Sequence, residues 1–453
     1  MTPPYAQWYA GRMVMVSLIL PLWMLSAGCS HPRAADVNEI ADAFDTAVAD
    51  VSWPGFTPAE VPLVLYDDAN TYLLRHPAPP ARFERMRGAD GVWVADTLFA
   101  ELRANTDAEF AGVRSAVAAI PSVAPDAVET AALLMHEAFH VYQSTAHPAW
   151  SANEVDLFTY PVRPANLLQL RRLEGGALRR AVTAPDSVRE LCWAQAFLKA
   201  RKARFDRLPS AAVGYERATE LREGLARYVQ GWVTGSTPAL PADGFRPEDV
   251  RERAYATGHA LAVLLDRLAP DWKRTLTEAD DPLPLEALLE GAIGDMSVRR
   301  CGASPDEIAR ARSVARSDSA DLARRDQRAR AAFDDAPGWS VEIVAGAEPL
   351  NPQRFDPLNV RVLDDRHVLH TRWIVVGNET ITAEALDRNA MTRGLPGHPL
   401  FAGIDRFRVT GLREPEVVES GDTLRVTGDG LTVTAVGAQV ERDGQTIRIL
   451  ARH

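Results

Sequence analysis

Leu134-Met135-His136-Glu137-Ala138-Phe139-His140-Val141-Tyr142-Gln143 is the stretch on which the reading of this chain turns. A helix advances about 100° per residue, so His136 and His140 fall about 40° apart on one face, a turn from each other. Two imidazoles so placed can grip one metal ion from the same side. Glu137, next in sequence, projects beside that ion rather than onto it. Ala131, Ala132, Leu133, Leu134, Met135, Ala138, Phe139 and Val141 surround these polar residues on nearly every side, which marks a buried helix. HExxH alone arises by chance in some chains, so the apolar context carries the weight. Burying two imidazoles and a carboxylate without partners would cost several kcal/mol, and a metal supplies the partner. The expected cofactor is one Zn2+ ion. It would make a bound water acidic enough to ionise near neutrality, with Glu137 as catalytic base for its proton.

A third ligand must come from elsewhere. In the metzincin pattern a histidine follows ten positions after the first, with glycine at the seventh; here Ala146 and Gln143 stand there, and His147 is one place off. A glutamate from a second helix is the other common solution. Glu223 is the first choice, in Thr219-Glu220-Leu221-Arg222-Glu223-Gly224-Leu225-Ala226-Arg227-Tyr228, where small Gly224 and Ala226 would let its helix approach the HExxH helix closely. Glu174, in Leu173-Glu174-Gly175-Gly176-Ala177, is the rival. HExxH followed by Glu-Gly-Leu-Ala resembles the gluzincin zinc metallopeptidases. The resemblance implies a mainly helical, zincin-like catalytic domain that cleaves a peptide or protein substrate. Two departures stand out. The gap from His140 to Glu223 is long, and the acidic residue often found four after the third ligand is Arg227. Glu220 could instead accept from a ligating histidine. The resemblance also places an oxyanion donor on the next helix, where Tyr255 is the candidate and His259, one turn on, the alternative.

Other features read as structural. His367 and His370 lie three apart in an expected strand and point to opposite faces, so they cannot share an ion. Glu154 and Asp156 are loop acids after the HExxH helix. Cys192 and Cys301 could form a disulfide or stay separate thiols.

Fifty basic against 61 acidic residues, a formal net charge of −11, excludes a sequence-independent nucleic-acid binder. Arg12 precedes a short apolar run, Met13 to Leu25, that ends in Ser26-Ala27-Gly28-Cys29. That run is too short for a bilayer span and describes a secretory signal. Small residues before Cys29 resemble a bacterial lipobox, although Ser26 replaces the usual bulky aliphatic. The expectation is a signal peptide over 1–28 and a lipidated Cys29 that tethers the mature protein to the membrane. In a Gram-negative cell, Ser30 would direct it to the outer membrane, facing the periplasm.

The 453 residues suggest two domains beyond the signal. Periodicity predicts helices over 34–51, 126–145, 165–183, 186–206, 213–232, 247–268, 284–292 and 304–334, with short strands at 61–66 and 91–95. After Pro337, β-branched alternation predicts strands at 340–345, 358–363, 367–376, 405–410, 423–427, 431–435 and 445–450. The fold class expected is α+β: a helical catalytic domain over 30–335 with a short N-terminal sheet, then an all-β module over 336–453. The competing expectation is a non-catalytic envelope lipoprotein that binds a partner through its β module.

Overall fold

Helix α1 (Ala34–Val48) buries Val37, Ile40 and Phe44, the three-to-four spacing seen in its sequence. The computed structural model describes residues 34–451 apart from 50, 100, 101, 103, 122–125 and 295–300. The expected signal peptide over 1–28 and Cys29 lie outside the described residues. What is described is a mixed α/β chain with an N-terminal sheet and C-terminal β-sheets. No described helix is long and apolar enough to cross a membrane.

The N-terminal sheet comprises β1 (Leu63–Tyr66), β2 (Thr71–Leu74), β3 (Glu84–Arg85), β4 (Val92–Ala95), β5 (Thr106–Phe110) and β6 (Val113–Ala119), in the order β3-β4-β2-β1-β6-β5. β1 and β6 pair in parallel, and the other described pairings of this sheet are antiparallel. Alternation sends Leu63, Leu65, Leu74, Ala116 and Ala118 to the main core, while Val64, Leu73, Phe110 and Val117 fill a second cluster on the other face. Pattern reading misses β2, β3, β5 and β6. Val113-Arg114-Ser115-Ala116-Val117-Ala118-Ala119 is rich in alanine, a poor strand former, but burial on both faces overrides that preference. Strand β5 forms one edge of the sheet.

The helices follow: α2 (Ala127–Ala146), α3 (Ala165–Val182), α4 (Ser187–Phe205), α5 (Ser210–Thr219), α6 (Leu225–Thr234), α7 (Val250–Leu268), α8 (Trp272–Thr277), α9 (Leu285–Ile293) and α10 (Pro305–Asp334). Asp126 caps α2, its carboxylate accepting from the Val128 and Glu129 amides. The single helix expected over 213–232 runs through α5 and α6 and widens into a π turn, Glu220–Gly224, where they meet. Cys192 on α4 is disulfide-bonded to Cys301, just before α10.

The chain separates into two compact units. One holds residues up to Asn153 and Asn166–Arg312; the other holds Glu154–Ala165 and Ser313–His453. In the second, a seven-stranded and a six-stranded sheet share one core that includes Val341, Ile343, Val376, Phe407 and Val433. The strand expected over 367–376 is two, His367–His370 in the larger sheet and Trp373–Gly377 in the smaller. Ile381–Leu386 and Ala390–Gly394 are strands that their alanines and polar residues concealed. Glu154 and Asp156 belong to a turn of this same unit, whose Phe158 packs on Phe355 and Phe401.

Candidate metal centre

Helix α2 is buried along most of its length, and His136, Glu137 and His140 share that burial. Glu223, on the π turn, points its Oε2 at both imidazoles, 3.6 Å from His136 Nε2 and 3.3 Å from His140 Nε2. One ligand atom from each residue lies within 4.8 Å of the others, a spacing that could hold a metal ion.

The outer atoms of these three side chains are also engaged. His140 Nδ1 lies 2.7 Å from Gln143 Oε1. The Gln143 amide nitrogen donates to the Leu221 and Arg222 carbonyls at 2.9 and 3.0 Å, and carbonyls only accept. The amide is thereby oriented, its oxygen faces His140, and the imidazole proton must sit on Nδ1. Nε2 is then the atom that faces Glu223. Those carbonyls belong to the π turn, where the regular helical ladder is interrupted. Gln230 on α6 treats His136 alike, its Oε1 3.2 Å from Nδ1. Sequence reasoning assigned no role to either glutamine. The available signal was spacing: Gln143 lies three after His140 on one helix face, and Gln230 two turns beyond Glu223.

Electrostatics follow from burial and neighbours. Burial holds His136 down to about 4, with His140 and Arg227 adding to the effect and Glu223 opposing it. Burial would raise Glu223, yet His140, the bonds to both histidines and Arg251 bring it well below the usual carboxylate range. For Glu137 burial dominates, and Glu223 and Asp107 add to it, so its carboxyl is pushed well up against the weaker pull of Arg222. Among the described residues nothing hydrogen-bonds the Glu137 carboxylate. Arg222 ties this region to the sheet edge, donating to Asp107 Oδ1 on β5 at 2.8 Å and to Ser144 Oγ on α2 at 2.8 Å.

Helix α7 reaches the cluster through a glycine contact. A Cβ on Gly224 would stand 2.6 Å from the Gly258 Cα, and one on Gly258 would stand 2.6 Å from the Glu220 carbonyl oxygen. The small residue at 224 therefore admits α7, not the HExxH helix as its sequence suggested. This contact brings Tyr255 against Glu223. The Tyr255 hydroxyl accepts from Arg251 Nε at 2.9 Å, and the same guanidinium donates to Glu223 Oε1 at 3.1 Å. Burial, then Glu223, raises the phenol well above its ordinary range, so it stays protonated.

Other candidates lie elsewhere. Glu174 is bonded to Arg204 and Arg201, at 2.9 and 3.2 Å, with no histidine near it in that network. Glu220 pairs with Arg201 rather than with either histidine of the cluster; Gln143 and Gln230 contact those histidines instead. His259 packs beside Gly231 and the Tyr228 ring. His370 is buried in the β unit while His367 pairs with Asp364, so the two face different surroundings.

Comparison with known protein families, with curated proteins and with solved structures finds no match.

Proposed function

We propose that the chain is a zinc-dependent hydrolase of gluzincin type, a peptidase, with His136, His140 and Glu223 as ligands of one ion. The observation that carries this reading is the convergence of two buried imidazoles and a carboxylate, each held from behind, beside a buried carboxylate that takes no hydrogen bond among the described residues. Imidazole nitrogens and a carboxylate oxygen in that number suit Zn2+ with one position left open. When bound, the ion supplies Lewis acidity that polarises a carbonyl and lowers the pKa of water.

The protein groups do the rest. Glu137 takes the proton of the attacking water and returns it to the leaving amine. Tyr255, protonated and beside Glu223, donates to the oxygen that gains charge as water adds. An extended peptide would lie along the free edge of β5, by main-chain hydrogen bonds. The Asp107–Arg222–Ser144 bonds hold that edge against α2.

Export with a lipid anchor at Cys29 belongs to the same proposal. The Cys192–Cys301 disulfide suits an oxidising envelope compartment. The test compares peptide-library hydrolysis by the zinc-loaded protein and Glu137→Gln. The expected outcome is a loss of about 10²–10⁴-fold in kcat with zinc retained. Equal inactivity of both proteins, or no zinc uptake by the native protein, would favour the non-catalytic lipoprotein instead.

A further inference from the structure

Arg251 and Tyr255 lie four apart at the start of α7, hence on one face of that helix. One edge of the Arg251 guanidinium makes two bonds. Nε donates to the Tyr255 hydroxyl at 2.9 Å, and Nη2 donates to Glu223 Oε1 at 3.1 Å. The other carboxylate oxygen, Oε2, is the one facing both histidines. The two oxygens of Glu223 are therefore assigned to different partners, one to the histidine pair and one to a guanidinium.

We propose that Arg251 is a positioning residue that holds Glu223 as a one-oxygen ligand and aligns Tyr255 beside it. This rests on the zinc reading given above. A carboxylate free to rotate can present both oxygens to a metal and fill the position that substrate needs. With Oε1 held by a charge-assisted bond, only Oε2 is available. Tyr255 is held by Arg251 Nε beside Glu223 in the resting arrangement. When its hydroxyl turns to substrate, Arg251 still restrains the carboxylate, so the ligand set survives the exchange. The planar fork is essential: lysine carries the same charge but offers a single donor centre and cannot span the phenol and the carboxylate with fixed geometry. The glycine contact at Gly224 and Gly258 sets the distance across which the fork must reach.

The test measures metal binding and ligand geometry, not turnover alone. Zinc affinity and the visible spectrum of the Co2+-substituted protein are compared for native protein, Arg251→Gln, Arg251→Lys and Tyr255→Phe, each checked for folding by circular dichroism. The expected result is zinc binding weakened about 10–100-fold in both arginine variants. Their Co2+ absorption should fall toward the weaker bands of higher coordination. Tyr255→Phe should keep native affinity and spectrum while kcat falls. Native affinity and an unchanged Co2+ spectrum in Arg251→Gln overturn the proposal and leave the zinc reading intact. Full rescue by lysine overturns it too, because charge alone would then suffice. A native protein that binds no zinc removes the reading beneath it, a failure visible before any variant is made.

Discussion

Two buried glutamates, Glu174 and Glu223, sit beside small residues on helical segments of the same unit, and their neighbours separate them. Glu174 belongs to an ion-pair cluster that joins four helices. Arg204 on α4 bonds Glu174 on α3 and Glu216 on α5, and Arg253 on α7 bonds Glu216 at 3.0 Å. Burial would raise both carboxyls, but Arg204 holds them below their ordinary range. Every acid there faces a permanent cation. Around Glu223 the inner partners are imidazoles, with His136 held in its neutral form by burial, and a further carboxyl, Glu137, close by. The guanidinium contact of Glu223, from Arg251, is to the outer oxygen, Oε1, while Oε2 faces the two imidazoles. Burial alone does not separate the two glutamates; the imidazoles beside Glu223 and the paired guanidiniums around Glu174 do.

The comparison breaks most visibly at Glu174→Gln. Removing one partner of a buried pair leaves guanidinium charge uncompensated, which costs about 3–5 kcal/mol. Chemical denaturation should register that loss while zinc content per folded chain stays unchanged. A loss of zinc without loss of stability would exchange the roles assigned to the two glutamates.

A middle-sized effect is expected at Gln143→Leu. It unhooks His140 from its orienting amide and the amide from the π turn. Zinc affinity should fall about 10–100-fold, read by competition with a chromogenic chelator. Unchanged affinity would mean that the helix alone fixes the imidazole.

The smallest effect is in the pH dependence of the metal-free protein. His136 titrates at about 4 when folded and near 6.5 when unfolded. Between those values the unfolded chain binds a proton that the folded chain refuses, so stability falls as pH drops through that window. His259, held down to about 4, and His370, to about 3, act in the same direction. His136→Gln should therefore flatten, without abolishing, the decline in thermal midpoint from pH 6.5 to 4. An unchanged slope would contradict the burial assigned to His136.

The sequence made some of this legible and hid the rest for physical reasons. HExxH is local, so helical spacing alone places His136, Glu137 and His140 on one surface. Glu223 was preferred over Glu174 because of its resemblance to a known pattern, and the structure brings that residue to the histidines. The cation partners of Glu174 were invisible: Arg201 and Arg204 on a helix normally read as solvated, and their burial follows from long-range packing. The π turn was hidden because 213–232 has continuous helical periodicity, and one extra residue per turn leaves no compositional mark. Arg251 escaped notice because its value depends on the glycine contact that brings α7 against Glu223. In the β unit the seven anticipated segments are those with β-branched alternation, whereas Ile381–Leu386 depends on buried alanines that mimic a helix.

The central claim is that Glu223, rather than Glu174, completes a metal site with His136 and His140. Metal content of the purified protein, Glu223→Gln and Glu174→Gln after incubation with zinc and removal of free ion tests it most directly. The account predicts one zinc per chain in the native protein and in Glu174→Gln, and little or none in Glu223→Gln. Zinc retained by Glu223→Gln, or absent from the native protein, would contradict it.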